Sequence, residues 1–179
     1  MINIIVDSNA WNFLHVSGIS LSNELLSDYN FQITLEVSRE LQELVGKEGK
    51  EALYEFFVSE TQSLEEPLCY FGFYNESVPA DEQRFGGFGV GGFASVHQDD
   101  YFQKTFRQIK SSKRGIYYGN EADMLIGSRG IGNTFILTED NNKSGPMKEA
   151  ENTIFVSRKF PMTVEQFKEY LDLETSKTL

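Results

Sequence analysis

Apolar residues in this chain fall alternately in short runs and at helical intervals. Residues 2–6 form an apolar run at the start, which predicts a parallel strand buried on both faces. A short helix is expected over about 8–15. Residues 31–35 predict a second strand, and from Glu36 the residues Val37, Leu41, Leu44 and Val45 recur at helical spacing. Gly46 and Gly49 interrupt that stripe, after which Ala52, Leu53, Phe56 and Phe57 form another.

The second half resumes the alternation. The pattern predicts a helix at about 121–130, strands at 134–138 and 153–157, and a last helix that opens on Thr163-Val164-Glu165-Gln166, the signature of a capping box. Strands alternating with helices require right-handed crossovers, and hence an α/β fold: a three-layer α/β/α sandwich around a central, mostly parallel sheet. Between the halves, about 63–96, lies a Gly/Phe-rich insertion with Pro67, Pro79 and five glycines in the seven residues 86–92. Each glycine costs a helix about 1 kcal/mol relative to alanine, so a loop is expected there. The GxxxxGK[ST] lysine and hydroxyl of a phosphate-cradling loop are missing. Phe85, Phe88 and Phe93 would either anchor the loop or stack bases.

Composition narrows the setting. A length of 179 residues, 40% of them hydrophobic, suits one compact domain spanning 1–179. The apolar runs are too short to cross a bilayer and no secretory leader is evident at the N-terminus, so a cytoplasmic, membrane-free protein is expected. Cys69 is the only cysteine and cannot form an internal disulfide. The formal charge of −11 opposes binding of a polyanion, so a nucleic-acid reading must rest on local sites.

The candidate chemistry is carried by acids. Asp7 follows the first strand and Asp140 the 134–138 strand, placing both at strand carboxyl ends, where open parallel sheets bind ligands. Turn formation is the simpler role for each, since Asp readily bonds nearby backbone. Glu40 lies about 85° from the centre of its helix's apolar stripe, at the stripe's edge. Glu36 is the reserve ligand if the register differs. Asp123 stands three residues after Asn120, the spacing of an N-cap and its reciprocal acid, with Glu121 as a second candidate. Two carboxylates ~5 Å apart repel by roughly 3 kcal/mol at an effective dielectric of ~20, so converging acids need a cation, protonation or water screening. Hard oxygen donors select Mg²⁺ or Mn²⁺, whereas His15 and His97 do not form the HExxH pattern of a zinc hydrolase.

On these residues the chain resembles the PIN-domain nucleases. The resemblance is carried by Ile5-Val6-Asp7-Ser8-Asn9, by Thr34 to Leu41 with Glu40, by Asp123-Met124-Leu125-Ile126, and by Leu137-Thr138-Glu139-Asp140. It covers roughly 1–45 and 118–157 and leaves the centre unmatched. It implies that Asp7, Glu40, Asp123 and Asp140 are catalytic metal ligands, with Asn9 and Thr138 as supports. It also implies an RNA substrate, products with 5′-phosphate and 3′-hydroxyl ends, and an antitoxin or other inhibitor protein, or a homodimer, as partners to test for.

Substrate grip is expected from 97–110, read as a helix with Phe102, Phe106 and Ile109 on one face and Lys104, Arg107 and Lys110 on the other. Lys113 and Arg114 follow, with Tyr117 and Tyr118 nearby. An ordinary solvated face is the alternative for this strip. Two other activities compete with a metal-dependent endoribonuclease. One is a non-catalytic PIN-like scaffold that binds RNA or a protein. The other is a phosphotransferase with Asp7 as nucleophile, disfavoured because Asn9 stands where haloacid-dehalogenase-like phosphatases carry a second acid.

Overall fold

The computed structural model describes residues 1–68, 95–110, 113–114, 117–141 and 145–177. In chain order the elements are β1 (Ile2–Val6), α1 (Ala10–Ser17), β2 (Tyr29–Gln32), α2 (Leu35–Gln42), α3 (Glu51–Thr61) and α4 (Val96–Thr105). They continue with a small hairpin, β3 (Lys113–Arg114) and β4 (Tyr117–Tyr118), then α5 (Glu121–Gly127), β5 (Thr134–Thr138), β6 (Thr153–Phe155) and α6 (Val164–Ser176). Most of the insertion, including Phe85, Phe88 and Phe93, lies outside the described residues.

The sheet has the order β2-β1-β5-β6, and every neighbouring pair is parallel. β1 is central, which explains its fully buried Ile4, Ile5 and Val6. From β1 the chain moves to β2 on one side and later returns past β1 to β5 on the other. Parallel neighbours require crossover connections, and here these are helical. The result is an α/β fold with a parallel sheet flanked by helices, consistent with three layers. The core joins the strands to Trp11, Phe13 and Leu14 of α1, Val37 and Leu41 of α2, Phe57 of α3 and Phe167 and Leu171 of α6. Trp11 meets Phe57 edge-on at 5.0 Å between centroids, and Phe13 meets Phe167 at 5.6 Å.

Several boundaries differ from the pattern-based reading for identifiable reasons. The second strand ends at Gln32, because Thr34 caps α2 by accepting a hydrogen bond from the Val37 amide through Oγ1 (3.3 Å). α2 stops at Gln42, so Val45 is exposed and does not belong to the apolar stripe. The first helix covers Ala10–Ser17 and ends on Gly18, whose left-handed backbone (φ 63) closes the last turn. The helix expected at 121–130 ends at Gly127, and β6 is three residues long. The stretch expected as one helix over 97–110 is α4 followed by a single 3-10 turn at Phe106–Gln108. Its buried residues are Tyr101 and Thr105, with Phe102 and Ile109 partly covered. The capping box of α6 is present, Thr163 and Gln166 each bonding the other's backbone.

Candidate active site

Asp7 takes its position from the ladder itself. Its amide donates to the Leu137 carbonyl (2.9 Å), so the side chain emerges at the carboxyl end of β1 beside β5. Because β2 and β5 lie on opposite sides of β1, this is the topological switch point of the sheet, where α/β folds leave a crevice. The carboxylate is 4% exposed. Oδ1 accepts from the Ser8 amide (2.7 Å) and Oδ2 from the Thr138 hydroxyl (2.7 Å).

Asn9 stands at the N-cap of α1 without capping it, because its side chain reaches across to β5 instead. Asn9 Oδ1 accepts from the Glu139 amide (2.6 Å) and lies 3.0 Å from the Thr138 hydroxyl, which in turn accepts from the Asp140 amide (3.0 Å). Asn9 and Thr138 therefore fasten the end of β1 to the turn that bears Asp140. Of the two residues expected as supports, Thr138 bonds Asp7 directly, and Asn9 acts through Thr138 and the Glu139 amide.

Glu40 and Asp123 arrive from helices that pack on each other, α2 and α5. Both are partly exposed, as the edge position of Glu40 in its stripe predicts. Burial pushes Asp7 from an ordinary 3.8 up to about 7, and the charges of Asp123 and Glu40 add to it against the Thr138 and Ser8 hydrogen bonds. Burial also raises Glu40, opposed by a bond from the Ser8 side chain and assisted by the charge of Asp123. Asp123 is raised by burial and then by Asp140, while Lys110 draws it back down. Charge thus links the four positions, with Asp123 and Glu40 acting on Asp7, Asp123 on Glu40 and Asp140 on Asp123, although they come from segments up to 133 residues apart. Among the described residues no three Asp, Glu, His or Cys side chains stand close enough to hold one ion directly.

Two other candidates take different roles. Glu36, the reserve for Glu40, is fully buried and pairs with Arg129 at 3.3 Å, so it ties α2 to the end of α5 and faces no crevice. Arg129 also donates to the Leu125 carbonyl (2.7 Å). Asn120 does not cap α5: it sits in the left-handed region (φ 70) and donates through Nδ2 to the Gln108 carbonyl (3.0 Å). Asp123 therefore has no capping partner in Asn120. Glu121 is buried at the first position of α5. Lys104, Arg107 and Lys110 are exposed, whereas the side chains of Lys113, Arg114, Tyr117 and Tyr118 lie outside the described residues.

A cleft of about 220 Å³ opens between the end of β1, α1, α2 and α3, lined by Ser8, Asn9, Asn12, Glu40 and Lys50 among others. The pattern-based reading missed Ser8, whose amide bonds Asp7 and whose side chain draws the Glu40 carboxyl down against its burial, and Lys50, the cation in this cleft. The small polar residue after Asp7 was the available signal for Ser8. The donor set of carboxylate, hydroxyl and amide oxygens is that of a hard cation. Mg²⁺ retains several of its waters, so carboxylates too far apart to ligate it directly can still reach it through them. Comparison with protein-family models, with curated proteins and with solved structures gives no match.

Proposed function

We propose that the chain is a Mg²⁺- or Mn²⁺-dependent endoribonuclease of the PIN-like class. The observation that carries this reading is the electrostatic coupling of Asp7, Glu40, Asp123 and Asp140 at the switch point of a parallel sheet. A carboxylate buried so deeply that it tends to keep its proton near neutral pH is a group that a cation would ionise. Asp7, Glu40, Asp123 and Asp140 would hold the ion, directly or through its waters, with Asn9 and Thr138 fixing Asp7 and the Asp140 turn. When bound, the metal supplies a water of lowered pKa and neutralises charge on a scissile phosphodiester. The protein's own part is to exclude water around Asp7 and hold the acids apart in register.

The spacing of the acids also supports a second reading, a PIN-like scaffold without catalysis, since no three described ligands share direct contact distance. One experiment separates the two: cleavage of mixed single-stranded RNA with Mg²⁺, Mn²⁺ or EDTA, using the wild type, Asp7→Asn and Asp140→Asn. The nuclease predicts EDTA-sensitive cutting that falls at least about 100-fold in both variants, in keeping with the loss of a main electrostatic contributor. Equal turnover in all three proteins would reject the assignment. An antitoxin-type inhibitor, if one exists, would act by covering this rim.

A further inference from the structure

The loop that follows β6 lies beside the acidic rim and has a chemistry the rim lacks. The Val156 amide donates to the Thr138 carbonyl (2.9 Å), so the residues after it leave the sheet next to the Thr138-Glu139-Asp140 turn. Arg158 is held there by Glu139. Its amide donates to Glu139 Oε1, while Nε (2.8 Å) and Nη2 (2.6 Å) both reach Oε2. One edge of the guanidinium is thereby fixed on a carboxylate that is itself mostly buried, and the other edge, with the Nη1 donors, remains in a side chain that is 48% exposed. Ser157 Oγ accepts from the Lys159 amide (3.3 Å), which leaves its hydroxyl hydrogen available to an incoming oxygen. Glu139, Ser157, Arg158 and Lys159 line an open cleft of about 540 Å³.

Two further features select the ligand. Residues 153–164 contain two cations and no acid in a chain of net charge −11, and Lys159 forms no ion pair among the described residues. Directly after Lys159, Phe160 leaves 73% of its surface in water. A phosphate would use the guanidinium, ammonium and hydroxyl donors, and a base would use the ring; a carboxylate-rich protein segment would leave the ring bare. Only an unpaired base can lie flat on such a ring, which favours a single strand over a duplex.

From this arrangement we infer that Ser157, Arg158, Lys159 and Phe160 form a docking site for one phosphate and one base of a single-stranded polynucleotide, an inference that rests on the nuclease reading and names the part of that site that grips the substrate. The test uses the full chain in EDTA and a labelled oligouridylate, with affinity measured from about 50 to 200 mM salt, where phosphate contacts are most visible. Lys159→Ala should weaken binding and lower the salt slope by about one. Phe160→Ala should weaken it about 5- to 150-fold with the slope unchanged, and the matching duplex should bind less tightly than the single strand. Both side chains are exposed, so melting temperatures should match the wild type. Wild-type affinity in both variants, or no binding at low salt, would overturn the docking site. A strand that binds through the loop but is never cut in Mg²⁺ or Mn²⁺ would reject the nuclease and keep the docking site. Cutting at wild-type kcat/KM in both loop variants would reject the docking site and keep the nuclease.

Discussion

At the scale of single residues, the clearest lever is the proton on Asp7. Its carboxyl is raised from 3.8 to about 7 on folding, so the native state binds this proton more tightly than the unfolded chain. The resulting stabilisation is complete below about pH 4, is lost as pH rises toward 7, and is gone above it; a shift of this size corresponds to about 4 kcal/mol. Asp7→Asn keeps the shape without the charge. The variant should therefore melt higher than the wild type at pH 8 without divalent ions, and the gap should close toward pH 4; thermal melts across that range decide it, and parallel curves would count against the burial argument. Thr138 is a second lever, since its hydroxyl serves Asp7, the Asn9 contact and the Asp140 amide together. Thr138→Val should cost roughly 1–3 kcal/mol in urea unfolding, whereas Thr138→Ser should stay close to the wild type. Much of this was readable in the chain. An acid ending an apolar strand, followed by small polar residues, marks Asp7 and Asn9. The partner of Glu36 was not readable, because Arg129 lies 93 positions away and no local pattern announces a buried pair.

At the scale of elements, the helices carrying Glu40 and Asp123 are held together from behind. The Glu36–Arg129 pair joins α2 to the end of α5, and Glu36 Oε1 has no hydrogen-bond partner among the described residues, so the pair is a costly way to join them. Arg129→Leu strands the Glu36 carboxylate and should destabilise by about 3–5 kcal/mol, while adding Glu36→Leu to it should recover most of the loss in a denaturant titration. The approach of α4 to α5 depends on Gly127, where an added Cβ would lie 2.2 Å from the Tyr101 hydroxyl. Tyr101 cannot swing aside without leaving the Pro146 carbonyl it donates to at 2.5 Å. Gly127→Ala should accordingly cost about 1–3 kcal/mol, and Tyr101→Phe should relieve part of it in a double-mutant cycle. Elements built on apolar runs, β1 and β5, could be read directly from the pattern. Those ended by a side-chain bond could not: Thr34 has the β-branched look of a strand residue, and only its bond to Val37 shows that it begins a helix.

At the scale of the molecule, the distribution of charge sets the response to ions. If the acids share a cation, millimolar Mn²⁺ should raise the melting temperature of the wild type by the mass-action of a native-state ligand, and should raise that of Asp7→Asn far less. An equal rise in both proteins would place the ion elsewhere. The described residues contain no helix long and apolar enough to cross a membrane. The bond between Thr138 and Asp7 has one further consequence, for the order of events during synthesis. Its partners are 131 residues apart, and β1 pairs with β5 only after everything between them has left the ribosome. Closing so long a loop comes late in folding and makes assembly slow. In a nascent polypeptide halted before residue 138, Asp7 keeps its bond from the Ser8 amide and lacks the one from the Thr138 hydroxyl, so that corner of the rim closes only once β5 has been made.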